Sequence, residues 1–334
     1  MKNKKTIIFL SASLLLFVIV FFLALMVGRY SISIGNFFKA LFTNDPHFQT
    51  DRSVIITLRI PRTIVAGLTG IALSLSGLLY QETFQNKLTS PDLLGVSNGA
   101  GVGAALAIVI GLSSAFISVL AFAVGILTVM TTVLIAKFFR NGSSTILLLS
   151  GIIVGGLMSS LLSLIKYFAG NEVKLASITY WLMGSFANAK METVYILLPI
   201  VAVSTIFLLS ISWRINIVAL GREEAQTKGI NYTLYRYLII GIATLLTAST
   251  VAFSGTISWI GLVIPHIVRL IVGRNTRKTI PLCITFGGIF MIVVDILSRT
   301  FTSEEIPLSA VTGLFGTIIF VIILFLKRRD YHEH

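Results

Sequence analysis

Side chains able to do chemistry are few in this chain, and their positions are informative. Asp295 reads as the single acidic residue inside an apolar span. Arg299 follows four residues later, so the two share a helix face and form a local ion pair; the alternative use of such a carboxylate is a proton relay. His266 is the only histidine in an apolar stretch, and no Ser-His-Asp or Cys-His order accompanies it. His47, His332 and His334 lack the spacing of zinc ligands, and the last two belong to a polar tail. Cys283 is the one cysteine, so neither an intrachain disulfide nor a thiolate metal site is expected. No GxxxxGK[ST] loop occurs that would cradle a nucleotide phosphate. Neither a catalytic constellation nor a resident cofactor is therefore expected. Carriers driven by protons or sodium place several ionisable or unwound polar sites near the membrane midplane, and their scarcity argues against a self-powered carrier.

The elements that hold these residues are set by composition. Of 334 residues, 55% are hydrophobic and 12% are charged, against about a quarter charged in a soluble domain. Asp92 to Lys137 encloses a charge-free stretch about twice the length of one bilayer crossing, which reads as two helices with a turn near Gly111 to Ser114. The apolar runs are continuous rather than alternating, which excludes a barrel of strands. The fold class is all-α: a single polytopic transmembrane domain over residues 1–334. Ten spans are expected near 6–27, 62–83, 93–111, 114–137, 144–167, 192–212, 235–253, 257–273, 280–298 and 307–326. The first apolar run is too long for the core of a cleaved signal peptide, about 7–15 residues, and reads as a retained helix.

Charge orients the spans. Starting inside and alternating puts Lys2, Lys4, Lys5, Lys87, Lys137, Arg140, Arg214, Arg222, Lys228, Arg236, Arg269, Arg274, Arg277, Lys278, Lys327, Arg328 and Arg329 on the inner side. The outer segments hold Arg29, Lys39, Arg52, Arg59, Arg62, Lys166, Lys174, Lys190 and Arg299. The inner excess implies that both termini face the cytoplasm. The net charge of +13 is thus spent on topology, and no basic stripe with interleaved aromatics points to nucleic acid.

Two loops are long: an outer one from about Gly28 to Arg59 and an inner one over residues 213–234. In the inner loop Gly221 and Gly229 bracket a short helical stretch. Arg222, Glu223, Glu224 and Ala225 open it and Lys228 closes it, a charge order that suits the helix dipole. Such a helix is either a solvated surface element or a ridge for docking into another protein. On the outer side Pro61 suits the start of the second span. Arg59, Arg62 and Arg299 then lie at the outer boundary, as snorkelling anchors or as a docking site for acidic side chains. Small residues recur every fourth position at Gly95, Gly99, Gly103 and Ala107, at Gly151, Gly155, Ser159 and Ser163, and at Ser309, Gly313 and Thr317. Such stripes permit close helix packing or form a pathway wall of little bulk.

Several segments, in order, resemble one family. They are Arg59-Ile-Pro-Arg62, Gly70 through Gly77, Pro91-Asp-Leu-Leu-Gly-Val-Ser-Asn-Gly-Ala100, Tyr180-Trp-Leu-Met-Gly-Ser185, Ala219-Leu-Gly221, Gly261-Leu-Val-Ile-Pro-His-Ile-Val-Arg269, Asp295 to Arg299 and Glu305-Ile-Pro307. From about residue 50 to 329 the chain resembles the permease subunits of bacterial ATP-driven importers for iron complexes and vitamin B12. The resemblance implies ten helices per subunit in the cytoplasmic membrane, a second permease subunit (identical or a paralogue), two cytoplasmic ATPases and an external substrate-binding protein, periplasmic or lipid-anchored. It implies that Gly221 to Gly229 couples to an ATPase, and that Arg59, Arg62 and Arg299 receive acidic residues of the binding protein. The expected cargo is a ferric siderophore, with haem or vitamin B12 as alternatives, and weakly binding lining residues such as Ser159, Ser163, Ser309 and Thr312. Where the family commonly has proline after Asn86, this chain has Lys87, which makes that turn less rigid and adds a positive charge. A secondary ion-coupled transporter is the alternative class.

Overall fold

The computed structural model describes residues 2–43, 45–139 and 143–332. Arg140 and His334 lie outside the described residues, as do the side chains of Lys2, Lys5, Lys327, Arg328, Arg329 and His332. All regular structure among the described residues is helical, as expected where lipid offers no hydrogen bonds and each segment must satisfy its own backbone. Helix α1 (Lys2–Met26) leads through α2 (Ile34–Phe42) and α3 (Gln49–Ser53) to α4 (Ile60–Thr83). Then come α5 (Val96–Ile110), α6 (Ser114–Phe138), α7 (Ser144–Tyr167), α8 (Glu172–Met183) and α9 (Met191–Ser210). Two short helices, α10 (Ser212–Val218) and α11 (Arg222–Thr227), occupy the expected inner loop. The chain ends with α12 (Tyr232–Ser254), α13 (Ile260–Val272), α14 (Thr276–Thr300) and α15 (Leu308–His332). Among the described residues, seven helical stretches are long and apolar enough to cross a membrane, and shorter apolar helices lie in α5, α13 and α15.

The expected outer loop from Gly28 to Arg59 is largely helical instead. Ser33 caps α2 by accepting from Asn36 N–H at 3.1 Å, and α2 buries Phe37 and Ala40 against Leu25, Ile32 and Ile55. Pro61 lies in the first turn of α4, as expected, but the chain does not enter that helix from a loop. The chain runs from α3 through a widened turn, Val54–Arg59, in which Ile60 N–H bonds to Ile55 O. A widened turn accommodates a proline that lacks a donor and crowds the preceding carbonyls. Helix α8 was also not foreseen, because its twelve residues are too few for a span. Asn171 caps it, accepting from Lys174 N–H at 2.8 Å.

Helix α4 is the axle of the bundle, buried along nearly its whole length and packed on α12, α13 and α14. It runs antiparallel to α14, with Arg62 beside Asp295, Gly70 against Gly287, and Ser74 Oγ donating to Cys283 O at 2.8 Å. A Cβ at Gly70 would overlap the Gly287 carbonyl, and one at Gly77 would overlap the Gly261 carbonyl. Glycine is thus what allows the backbones of α14 and α13 to approach α4. Toward α12 the contacts are hydroxyls: Ser76 Oγ lies 2.6 Å from Thr247 Oγ1, and Tyr80 Oη lies 2.9 Å from Thr244 Oγ1. Of the small-residue stripes, Gly99 and Gly103 press on α6 and Gly151 on the Leu93 carbonyl, so these are packing faces. Ser159, Ser163 and Thr317 are exposed.

Candidate functional site

The first candidate site is built where α9 hands over to α12. Gly221 adopts φ +110°, a region closed to most side chains, and turns the chain into α11. Ala225 is fully buried against the bundle, and Ile230 N–H bonds to its carbonyl at 2.9 Å. Arg222, Glu223, Glu224 and Lys228 are exposed. Glu223 and Glu224 lie in the first turn, Lys228 sits at the C-cap, and Gly229 ends the element at φ +70°. The expected short helix is therefore present, seated through Ala225 with its charged residues outward.

This segment is tied to two long helices. Gln85, itself at φ +52° just past α4, donates to Ala219 O at 3.3 Å. Asn216 on α10 accepts from Thr276 N–H at 2.8 Å and from the Thr276 hydroxyl, and its amide donates to Asn275 at 3.3 Å. The start of α14 is thereby fastened to α10. Between these ties lies a polar cavity of about 440 Å³ lined by Glu82, Gln85, Lys87, Asn216, Arg269 and Arg274. Glu82 pairs with Arg269 at 2.8 Å. Glu82, in the last turn of α4, is thus an acid inside a spanning helix besides Asp295, which corrects the expectation that Asp295 stands alone. Lys87 lies on the wall of this cavity. The turn it occupies is held by Asn86, whose side chain accepts from Leu88 N–H at 2.9 Å and whose carbonyl accepts from Thr89 N–H at 3.2 Å.

The second candidate site is at the opposite ends of α4 and α14. Arg62 donates to Asp295 at 2.8 Å and to Glu305 at 2.5 Å. Arg299 stands 3.5 Å from the other Asp295 oxygen, an ion pair without hydrogen-bond alignment. Asp295 therefore pairs with Arg299 as its spacing implies, but Arg62, from a helix distant in sequence, is the closer partner. Arg59 donates to the carbonyls of Leu25 and Met26, each at 2.8 Å, and to that of Tyr30. Arg299 donates to Ala24 O at 2.5 Å. Both guanidiniums thus satisfy carbonyls that the end of α1 leaves without intrahelical donors. The structure brings the three arginines together, yet Arg59 and Arg299 are only 4% and 6% exposed. Nearby, Tyr30 donates to Asp51 at 2.7 Å; that bond, then desolvation and the Asp51 charge, hold the phenol above its ordinary pKa. Two of the sequence motifs meet here: Leu308 N–H, just past Glu305-Ile-Pro307, bonds to Gly184 O at 3.1 Å.

The four expected lining residues sit apart. Ser159 and Ser163 are exposed on α7, which packs on α5 and α6. Ser309 is half-buried and Thr312 fully buried on α15, which packs on α8, α13 and α14. Among the described residues no group of three or more His, Cys, Asp or Glu stands ready to hold a metal ion.

Comparison with known proteins matches residues 15–326 to the FecCD transport family. The molybdate import system permease protein MolB of Haemophilus influenzae is 37% identical over 96% of both chains. The cobalamin import system permease protein BtuC of Halobacterium salinarum is 33% identical over 83% of this chain and 74% of its own. A metal-chelate type ABC transporter solved in an inward-facing conformation superposes with a TM-score of 0.86 at 35% identity, covering 95% of this chain and 98% of that one.

Proposed function

This chain belongs to the FecCD transport family, and from that premise we propose how a permease subunit of an ABC importer of this kind works here. It crosses the bacterial cytoplasmic membrane ten times with both termini inside. Support comes from helix direction as well as charge: the contacts make α1 parallel to α14, and both antiparallel to α4. Two such subunits, identical or paralogous, enclose the pathway, two cytoplasmic ATPases drive it, and an external binding protein delivers cargo. The chain itself hydrolyses nothing and has no call on nucleic acid.

The observation that carries the mechanism is the pair of ties from the α10–α11 segment to α4 and α14. Both helices run from that segment to the Arg62–Asp295–Arg299–Glu305 cluster. Over the 24 residues of α4 this is about 36 Å, roughly a bilayer thickness. An ATPase pressing on Arg222 to Lys228 would move α10, and Asn216 and Gln85 would carry the displacement into two antiparallel helices too closely packed to slide. The binding protein would act at the other end. Glu305 is the most exposed acid of that cluster, and an acidic side chain of the binding protein would compete with it for Arg62. Arg59 and Arg299 would serve docking by holding the end of α1 in place.

The cargo is a metal held in a complex, with a ferric siderophore proposed first on the strength of the metal-chelate transporter. Molybdate is the second reading, favoured by the 37% identity to MolB. Lining from Ser159, Ser163, Ser309 and Thr312 requires the second subunit and a rotation of α15 that exposes Thr312. The importer reconstituted in vesicles tests these proposals. Radiolabelled ferric siderophore should accumulate with ATP and stop when the ATPase carries a hydrolysis-dead substitution. Uphill uptake that survives that substitution would show a secondary carrier. Uptake of molybdate but not of the siderophore would replace the cargo and leave the mechanism.

A further inference from the structure

Away from both sites, α6 and α12 enclose an apolar groove of about 440 Å³. Its walls include Val129, Val133 and Ile240, its floor is opened by Gly241, and Lys137 and Tyr237 stand at one end. On α6 the groove runs from Ile126 to Lys137. That rise is about 16 Å, close to half of a hydrocarbon core of about 30 Å. Both walls belong to helices long and apolar enough to cross a membrane, so a groove one leaflet deep faces acyl chains. The charged end is on the side of the α10–α11 segment, since Tyr237 lies in the second turn of α12, ten residues after the end of α11. Lys137 is exposed, and its ammonium lies 4.8 Å from the centre of the Tyr237 ring. A cation–π contact of this kind fixes the charge at the groove mouth without neutralising it.

We propose that this groove binds an anionic phospholipid, one acyl chain lying between α6 and α12 and the phosphate resting on Lys137. The site rests on the membrane placement of these helices and is independent of the cargo and docking assignments. An apolar channel within a bilayer takes an apolar occupant, and Lys137, the one cation among the described lining residues, favours a net negative headgroup over a zwitterionic one. One lysine near a membrane surface favours an anionic lipid by about five-fold.

The test uses the purified full-length chain in detergent, equilibrated with equal phosphatidylglycerol and phosphatidylcholine, with retained lipid read by native mass spectrometry. The wild type should retain phosphatidylglycerol over phosphatidylcholine by about five-fold. Lys137→Gln should bring the ratio to about one while lipid is still held, and Lys137→Arg should preserve the preference. Gly241→Leu should reduce retention of both lipids. A Cβ at Gly241 meets nothing within 4 Å, so a side chain can start there without pressing on a neighbouring helix, and the leucine branch takes up groove space. An unchanged ratio in Lys137→Gln, or unchanged retention in Gly241→Leu, overturns the proposal. It also falls if Gly241→Leu dissociates a dimer of the chain and leaves lipid retention as before, since the groove would then be a protein interface.

Discussion

Replacing Arg62 by methionine removes the cation that two acids share while keeping most of the side chain's bulk. Asp295 is fully buried and Arg62 is 11% exposed at the side chain. At 2.8 Å and an effective dielectric of about 20, their direct attraction is about 6 kcal/mol. Desolvation of the guanidinium offsets part of this, and removing one partner of a buried pair costs about 3–5 kcal/mol. Arg299 remains 3.5 Å from Asp295, which places the expected loss near the lower end, about 3 kcal/mol. Asp295→Leu combined with Arg62→Met removes the orphaned charge as well. The double variant should therefore be about 2 kcal/mol more stable than the sum of the single losses. Cys283 supplies the assay, being the one cysteine and fully buried. A dye that fluoresces on thiol attachment reports unfolding in detergent at a fixed scan rate. With roughly 2 °C per kcal/mol for a chain of this size, Arg62→Met should unfold about 6 °C lower, and the pair should recover about 4 °C of the summed loss. A shift below about 1 °C, or strict additivity, would refute the reading of Arg62 as an internal partner of Asp295 and leave it free for an external one.

Two further outcomes follow from the same contacts. Gly77→Ala should destabilise by about 2 kcal/mol or more, because its Cβ meets the Gly261 backbone rather than a movable side chain. Gly156→Ala, exposed with nothing within 4 Å of the added Cβ, should be neutral or stabilising by about 0.5–1 kcal/mol; the same thermal assay compares the two. Asn216→Ala frees the first N–H of α14 and loosens α10, at about 1–2 kcal/mol. In the reconstituted importer it should lower transport per ATP hydrolysed by about five-fold or more while the complex still assembles. Unaltered coupling would exclude Asn216 as a transmission point.

Much of the architecture is legible in the sequence. A bilayer demands apolar helices, and the charge-free run between Asp92 and Lys137 folds as two of them, the shorter α5 and the membrane-length α6. The glycine-bracketed helix was legible because Gly221 and Gly229 mark turns that other residues resist, and because Glu223 and Glu224 suit a helix start. The segment from Gly28 to Arg59 was not legible as helix. Its pieces are short, and the proline marks the start of α4 correctly but does not reveal that a widened turn, Val54–Arg59, leads into it helically from α3. Helix α8 escaped for the same reason of length.

The sequence by itself determined that this chain is built of long apolar helices, that its basic residues gather at their ends, and that a short glycine-bracketed helix interrupts them. Those properties depend on local composition and on period, and both can be counted along the chain. Only the tertiary structure decided what the arginines do. Arg59, Arg62 and Arg299 look alike as charges at a boundary. Yet two of them close the end of α1, and the third holds acids from the end of α14 and from the segment just before α15. A guanidinium's partners are set by which helix ends meet in space. Nothing in the spacing of residues 62, 295 and 305 along the chain records that meeting.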